Sequence, residues 1–215
     1  MKTPPHNAQP AAVPAPAGEP CPLCPTPAAG ASAGAALPPG SRILLTAAQI
    51  QTRIRQIAGQ ISTDYKGLDL LTVAVLEGAR PFHRDLVQRL TVPAASDAVQ
   101  TSSYGHAHAS SGVVTLSRDL TSNITGRHVL LVDDIVDSGH TAAFLIDALA
   151  RRRPASLKLC ALLDKPCRRV TPVAPHYTCF TINDVFVFGY GLDYKGQLRD
   201  LPYVAAIPPS PPGEE

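Results

Sequence analysis

The sequence has almost no excess of charge of either sign: 19 Lys and Arg stand against 17 Asp and Glu, a formal net charge of +2. No long basic stretch concentrates that charge, which argues against nucleic acid or an anionic membrane as partner and favours a small molecule. Long apolar runs are also missing. None approaches the roughly 18 residues that a membrane span needs, and Met1-Lys2-Thr3-Pro4-Pro5-His6 lacks the apolar core of a secretory signal. Cysteine is sparse: five, an odd number without the dense spacing of a stapled secreted scaffold, suit a reducing compartment. The expectation is a cytoplasmic protein. There is no GxxxxGK[ST] segment either, which excludes a Walker-type phosphate loop.

What is present suffices for one catalytic-size core, since 45% of the 215 residues are hydrophobic and 17% charged. Residues 1–40 hold half of the 22 prolines together with many alanines, a composition with little side chain to bury, and are predicted to be a disordered tail. Within it, Cys21-Pro22-Leu23-Cys24 has the spacing of half a zinc site, but a tetrahedral site needs four ligands and only His6 lies near. The folded domain is expected over residues 41–209, with a second short tail at 210–215.

Thr46-Ala47-Ala48-Gln49 is a capping-box pattern, followed by Ile50, Ile54, Ile57 and Ile61 at helical spacing. Leu70 to Leu76 is a continuous apolar run of the kind found in a strand covered on both faces, and a helix is expected from Pro81 to Leu90. Similar runs recur at Val129–Val132 and Leu157–Leu163, with a helical stretch, Ala142 to Arg153, between them. Strands alternating with helices imply an α/β fold with a mainly parallel sheet. Val99–Ser103 and Val113–Leu116 suggest a hairpin whose Gly-, Ser- and His-rich connection suits a lid.

The most informative segment is Val129-Leu130-Leu131-Val132-Asp133-Asp134-Ile135-Val136-Asp137-Ser138-Gly139-His140-Thr141. An apolar strand ending in two carboxylates puts them at the carboxyl end of a parallel sheet, where open α/β folds bind ligands. Ser138, Gly139 and Thr141 then offer hydroxyls and a permissive backbone at a helix start, where free N–H groups and the helix dipole favour a phosphate. Carboxylates accept hydrogen bonds from a diol or coordinate a hard cation, so the ligand should carry a phosphate beside neighbouring hydroxyls or a metal. Read blandly, Asp133 and Asp134 end a strand and Asp137-Ser138-Gly139 is a capped turn. That reading leaves three carboxylates beside a phosphate-shaped loop unexplained.

The segment resembles the PRPP-binding signature of type I phosphoribosyltransferases, PRPP being 5-phosphoribosyl 1-pyrophosphate. Three others narrow the resemblance to the hypoxanthine-guanine branch: Ser102-Ser103-Tyr104-Gly105, Leu162-Leu163-Asp164-Lys165-Pro166 with Arg168-Arg169, and Asp184 to Tyr194 continuing to Arg199-Asp200-Leu201-Pro202-Tyr203. It runs from about residue 42 to 207 in the family's order. It implies a twisted, mainly parallel sheet flanked by helices, with a small hood and a flexible hairpin lid. The implied activity is magnesium-dependent purine salvage, in which hypoxanthine or guanine and PRPP give IMP or GMP and pyrophosphate. A homo-oligomer, dimer or tetramer, is implied as well.

By the same resemblance, Asp133 and Asp134 hold the ribose hydroxyls and magnesium, and Asp137 is the general base near purine N7, a task within the reach of a positioned carboxylate. Ser138, Gly139, His140 and Thr141 enclose the 5′-phosphate, with Ile135 beside sugar and base. Lys165 donates to the purine 6-oxo group, Phe186 stacks on the base and the backbone of Val187 reads its edge. Asp193 borders the base and serves a second magnesium, and Arg199 contacts pyrophosphate. Leu76, Glu77 and Gly78 occupy the place of the pyrophosphate loop. Its backbone N–H groups, sometimes exposed by a non-proline cis bond, do the binding, so Glu77 is tolerated if its side chain turns away, with Arg80 restoring the charge. Ser103 and Tyr104 belong to the lid that excludes water.

Two other readings compete. A transferase preferring xanthine remains open, whereas adenine is disfavoured because its 6-amino group cannot accept from the Lys165 ammonium. An RNA-binding regulator on the same fold would show a basic face, and only Arg151, Arg152, Arg153 and Lys158 cluster.

Overall fold

The computed structural model describes residues 37–103 and 114–207. The expected tails therefore lie almost wholly outside the described residues, as do Tyr104 and the connection of the expected hairpin.

Six strands form the main sheet in the order β4-β3-β2-β5-β6-β7: β2 Leu70–Leu76, β3 Ala94–Ser103, β4 Val114–Arg118, β5 His128–Val136, β6 Ser156–Asp164 and β7 Tyr177–Thr181. All neighbours are parallel except β3 and β4, the hairpin, which pair antiparallel at one edge. The apolar runs form strands because helices cover both faces. On β5, Leu130 and Val132 enter the core under α1 (Ala47–Asp64) and α2 (Arg80–Val87), while Val129 and Leu131 enter the core under α3 (His140–Ala150), the period of two that strand geometry imposes.

Helix α1 starts as its sequence predicts. The Thr46 hydroxyl accepts from Gln49 N at 3.4 Å, and Gln49 Oε1 accepts from Thr46 N at 2.8 Å. Ile50, Ile54, Ile57 and Ile61 are all buried. Helix α2 stops at Val87 rather than Leu90. Helix α3 begins at His140 and ends at Ala150, short of the expected Arg153, which takes φ +56° and so cannot continue a helix.

A second sheet has the order β1-β9-β8, from β1 Arg42–Leu45, β8 Phe186–Phe188 and β9 Val204–Ile207, all antiparallel. This is the hood. It unites the two ends of the described domain, and β1, β7 and β9 are each too short to show a period in the sequence.

A buried polar knot ties the hood to the helices. Asp85 Oδ2 accepts from Tyr190 Oη at 2.6 Å and from Gln51 Nε2 at 2.7 Å, while Oδ1 accepts from Arg84 Nε at 3.0 Å. Tyr190 sits at φ +50° between Gly189 and Gly191, so the chain turns there in a conformation that an L-residue adopts only when its surroundings fix it. Burial opposes the charge on Asp85, but the bonds from Tyr190, Gln51 and Arg84 outweigh it and hold the carboxyl below its ordinary range. A depressed folded-state pKa stabilises the fold above the unfolded value, near 4, and that stabilisation is lost as pH falls through the folded value. Tyr190→Phe should lower stability in urea titrations at pH 7 by about 1–3 kcal/mol, with a smaller further loss on acidification than the parent shows. Equal acid-side slopes for the two proteins would refute the role given to this bond.

Candidate active site

The carboxyl ends of β2 and β5 lie side by side, and Asp133 and Asp134 sit there on β5. Asp133 is buried, and among the described residues its Oδ1 accepts only from the next peptide, Asp134 N, at 3.0 Å. Asp134 repeats the pattern with Ile135 N at 3.0 Å. Burial, then the charge of Asp134, pushes the Asp133 carboxyl well above its ordinary range. Burial also raises Asp134, against the bonds from Asp133 and Ile135 and the positive charge of Arg199. Such a pair is completed by hydroxyl donors or a hard cation.

The β2 loop presses on this pair. A Cβ at Gly78 would lie 1.7 Å from Asp134 Oδ2, and one at Gly191, at φ +98°, would lie 2.0 Å from Gly78 O. Only glycines permit that stack of loop, carboxylate and hood. The Leu76–Glu77 peptide is cis. The Glu77 carboxylate accepts from Arg80 Nε at 3.0 Å and Nη2 at 2.6 Å, so its charge is paired with the cation of its own turn.

Beyond β5, Asp137, Ser138, Gly139 and Thr141 continue the wall of a cavity of about 350 Å³ that also takes in Leu76, Glu77, Gly78, Asp133, Asp134, Ile135 and Arg199. Arg168 Nε lies 3.0 Å from Asp137 Oδ1 but out of line for a hydrogen bond, so that oxygen feels a positive charge without a proper donor. His140 shares a 2.8 Å hydrogen bond between Nδ1 and Thr171 Oγ1, which turns the ring toward the 168–173 segment. Of the expected lid, Thr101 on β3 lines the cavity; Ser103 ends that strand, and Tyr104 lies outside the described residues.

A second cavity of about 700 Å³ is bounded by Val185, Phe186, Asp193, Tyr194 and Ile207. Phe186 is 53% exposed and stands edge-to-face with Tyr194 at a centroid distance of 5.9 Å, while Val187 next to it is buried. Lys165 is also buried, unlike most lysines that follow a strand; its Nζ donates to Val185 O at 2.7 Å, and its backbone N donates to Val136 O at 3.0 Å. Asp193 lines this cavity next to Arg199 of the first. Its Oδ2 accepts from Gly196 N at 3.0 Å, whereas its buried Oδ1 has no hydrogen bond among the described residues, although Arg199 Nε stands 3.4 Å away. Arg199 is held by Gly191 O at 2.6 Å.

The fold thus lines one cavity with a carboxylate pair and the turn into α3, and a second with the half-exposed Phe186, behind which Lys165 is tethered through Val185. Residues 42–195 match the phosphoribosyl transferase domain. The chain belongs to the phosphoribosyltransferase family. It is 41% identical over 166 residues to the hypoxanthine-guanine phosphoribosyltransferase of Streptococcus pneumoniae (strain ATCC BAA-255 / R6), covering 77% of this chain and 92% of that one. It is 39% identical over 168 residues to the bifunctional protein TilS/HprT of Listeria monocytogenes serotype 4b, but those residues are 78% of this chain and only 26% of that one. Among solved structures, a hypoxanthine phosphoribosyltransferase from Staphylococcus aureus superposes with a TM-score of 0.75 at 36% identity, over 77% of this chain and 90% of that one.

Sequence reasoning assigned no role in this phosphoribosyltransferase's site to Arg168, Arg169 or Tyr190, although all three lie within the segments that carry the resemblance, and it reached Thr101 only as part of the lid hairpin. The Gly78 contact gives a direct test. Gly78→Ala should push Asp134 aside and lower turnover by about 100-fold, as misplacement of a positioning group by an ångström does. A thermal melt within a few degrees of the parent would place the damage in the site, and near-parent turnover would show that Asp134 has room to move.

Proposed function

We infer that this protein is a purine-salvage transferase that converts hypoxanthine or guanine and PRPP into IMP or GMP and pyrophosphate. The observation that carries the reading is the burial of Lys165 beside the Phe186 slot. An ammonium has three donors. One is used on Val185 O, which fixes the side chain and leaves the others for an acceptor on the ring, such as a 6-oxo group. Phe186 is half exposed and can stack on a flat ring, and Asp193 lines the same cavity.

The sugar phosphate fits the first cavity. Its 5′-phosphate is assigned to Ser138, Gly139 and Thr141 at the start of α3, its ribose hydroxyls to Asp133 and Asp134, and its pyrophosphate to the Leu76–Glu77–Gly78 backbone and Arg199. As the C1–pyrophosphate bond breaks and the bond from purine N9 to C1 forms, Asp137 accepts the proton that the ring gives up. Its charge also opposes the positive charge developing on the sugar.

The residues fit the magnesium that this chemistry implies. Asp193 Oδ1 is buried without a hydrogen bond, and the raised pair at 133 and 134 has unfilled acceptor positions. Among the described residues no three His, Cys, Asp or Glu form a cage; magnesium needs only one or two carboxylates beside waters and substrate oxygens. When bound it neutralises the leaving pyrophosphate.

The folded domain is assigned to residues 41–209 and the assembly to a homo-oligomer, as the family resemblance implies. No helix of the described residues is long and apolar enough to cross a membrane, and Cys160, Cys167 and Cys179 are free, which suits the cytoplasm.

Pyrophosphate release from PRPP and magnesium with a panel of purine bases tests the reading. Hypoxanthine and guanine should turn over, and adenine should be poorer by a factor on the order of 10⁴; activity with adenine alone would overturn it. Asp137→Asn should keep PRPP binding but slow turnover by about 100-fold or more, whereas parent-like turnover would remove the base from Asp137. Lys165→Ala should raise KM for both oxopurines far more than KM for PRPP. Equal rises would mean that Lys165 does not read the base.

A further inference from the structure

We propose that Arg169 is a positioning residue for the 5′-phosphate, holding the phosphate loop from behind so that two successive backbone N–H groups face the cavity. The inference rests on the reading of Ser138–Thr141 as a phosphate cradle and adds what shapes that cradle. The Arg169 side chain is 13% exposed, and its guanidinium reaches three carbonyls and one carboxylate at once. Nε donates to Asp137 O at 3.0 Å, Nη2 to Val136 O at 3.1 Å and to Asp164, and Nη1 to Val173 O. The next two residues add to this grip, for Val170 N and Thr171 N donate to Ser138 O at 2.9 and 3.0 Å.

These bonds fix direction. In a trans peptide the C=O and the following N–H point opposite ways. With Asp137 O drawn back to Arg169, Ser138 N–H points forward, and with Ser138 O drawn back to Val170 and Thr171, so does Gly139 N–H. Among the described residues neither N–H has a hydrogen-bond acceptor. Two successive forward N–H groups make a concave anion site. Gly139 completes it at φ +90°, where a Cβ would meet Thr171 O at 2.8 Å and Arg169 Cδ at 2.9 Å. Arg169, Val170 and Thr171 themselves do not line the cavity. They act only through the loop.

Arg169→Lys keeps a charge for Asp164 but cannot span three carbonyls, because the planar fork is lost. Its KM for PRPP should rise about 10-fold and its calorimetric affinity for ribose 5-phosphate should fall by a similar factor, with KM for hypoxanthine within about 2-fold of the parent. Val170→Pro deletes one N–H to Ser138 O and alters no buried side chain, since Val170 is 72% exposed. Arg169 has ψ 118°, the region that a residue before proline prefers. Val170→Pro should shift the same two constants in the same direction by about 3-fold, and it carries the test alone if Arg169→Lys does not fold. Equal rises in KM for PRPP and hypoxanthine, or unchanged affinity of Val170→Pro for ribose 5-phosphate, would overturn the proposal. A parent protein that neither turns over nor binds ribose 5-phosphate would remove the transferase reading and this inference with it; a parent that does both, with variants whose PRPP constants stay put, would remove this inference alone.

Discussion

A carboxylate at the end of a buried strand has lost most of its water and must find its partners in the protein or in a ligand. Asp133 and Asp134 are in that state: adjacent, shut in by the β2 loop, and bonded among the described residues to the peptides that follow them and to each other. Burial pushes both carboxyls toward the protonated form, as expected where the folded chain supplies few partners. The surrounding parts keep that unsatisfied pair open to one face. Gly78 and Gly191 let two backbones come within reach of it, and the apolar strands beneath give it no route of retreat.

The same logic of oriented, partly unsatisfied polar groups recurs at each corner of the site. Asp193 Oδ1 is buried without a hydrogen bond, and Asp137 Oδ1 has a cation beside it but no aligned donor. Lys165 is the counterpart in positive charge, buried and tethered by one bond to Val185 O. A protein at its stability optimum would leave none of these groups half paired; a site that binds a phosphate, a diol and a polar ring needs all of them.

The hood is tied to this arrangement by polar contacts. Asp85 draws Tyr190 into the body of the domain, and Tyr190 lies next to Gly191, the glycine that allows the chain to pass close to Gly78. The loop that carries Asp193 and Arg199 is thereby set against the strand ends that carry the other carboxylates. On the opposite side, Arg169 does for the phosphate loop what Asp85 does for the hood: a side chain outside the cavity sets the direction of backbone within it.

The sequence by itself determined the parts whose signal is local. The apolar runs of β2, β5 and β6 needed burial on two faces, Thr46 and Gln49 capped α1 between them, and the carboxylates and glycine of residues 133–139 are consecutive, so their joint chemistry was legible on the strand-to-helix turn that carries them. Contacts that join distant parts of the chain were decided only in the tertiary structure. Strands β1 and β9 are four residues each and pair across most of the domain; neither has a period of its own. The burial of Lys165 depends on Val185 arriving from another part of the fold to accept from its ammonium. Arg169 is one of two adjacent arginines with the same composition and opposite settings, one exposed and one buried against the phosphate loop. Composition and spacing fix what a side chain can do, but which partner it meets depends on packing that brings together residues far apart in the chain.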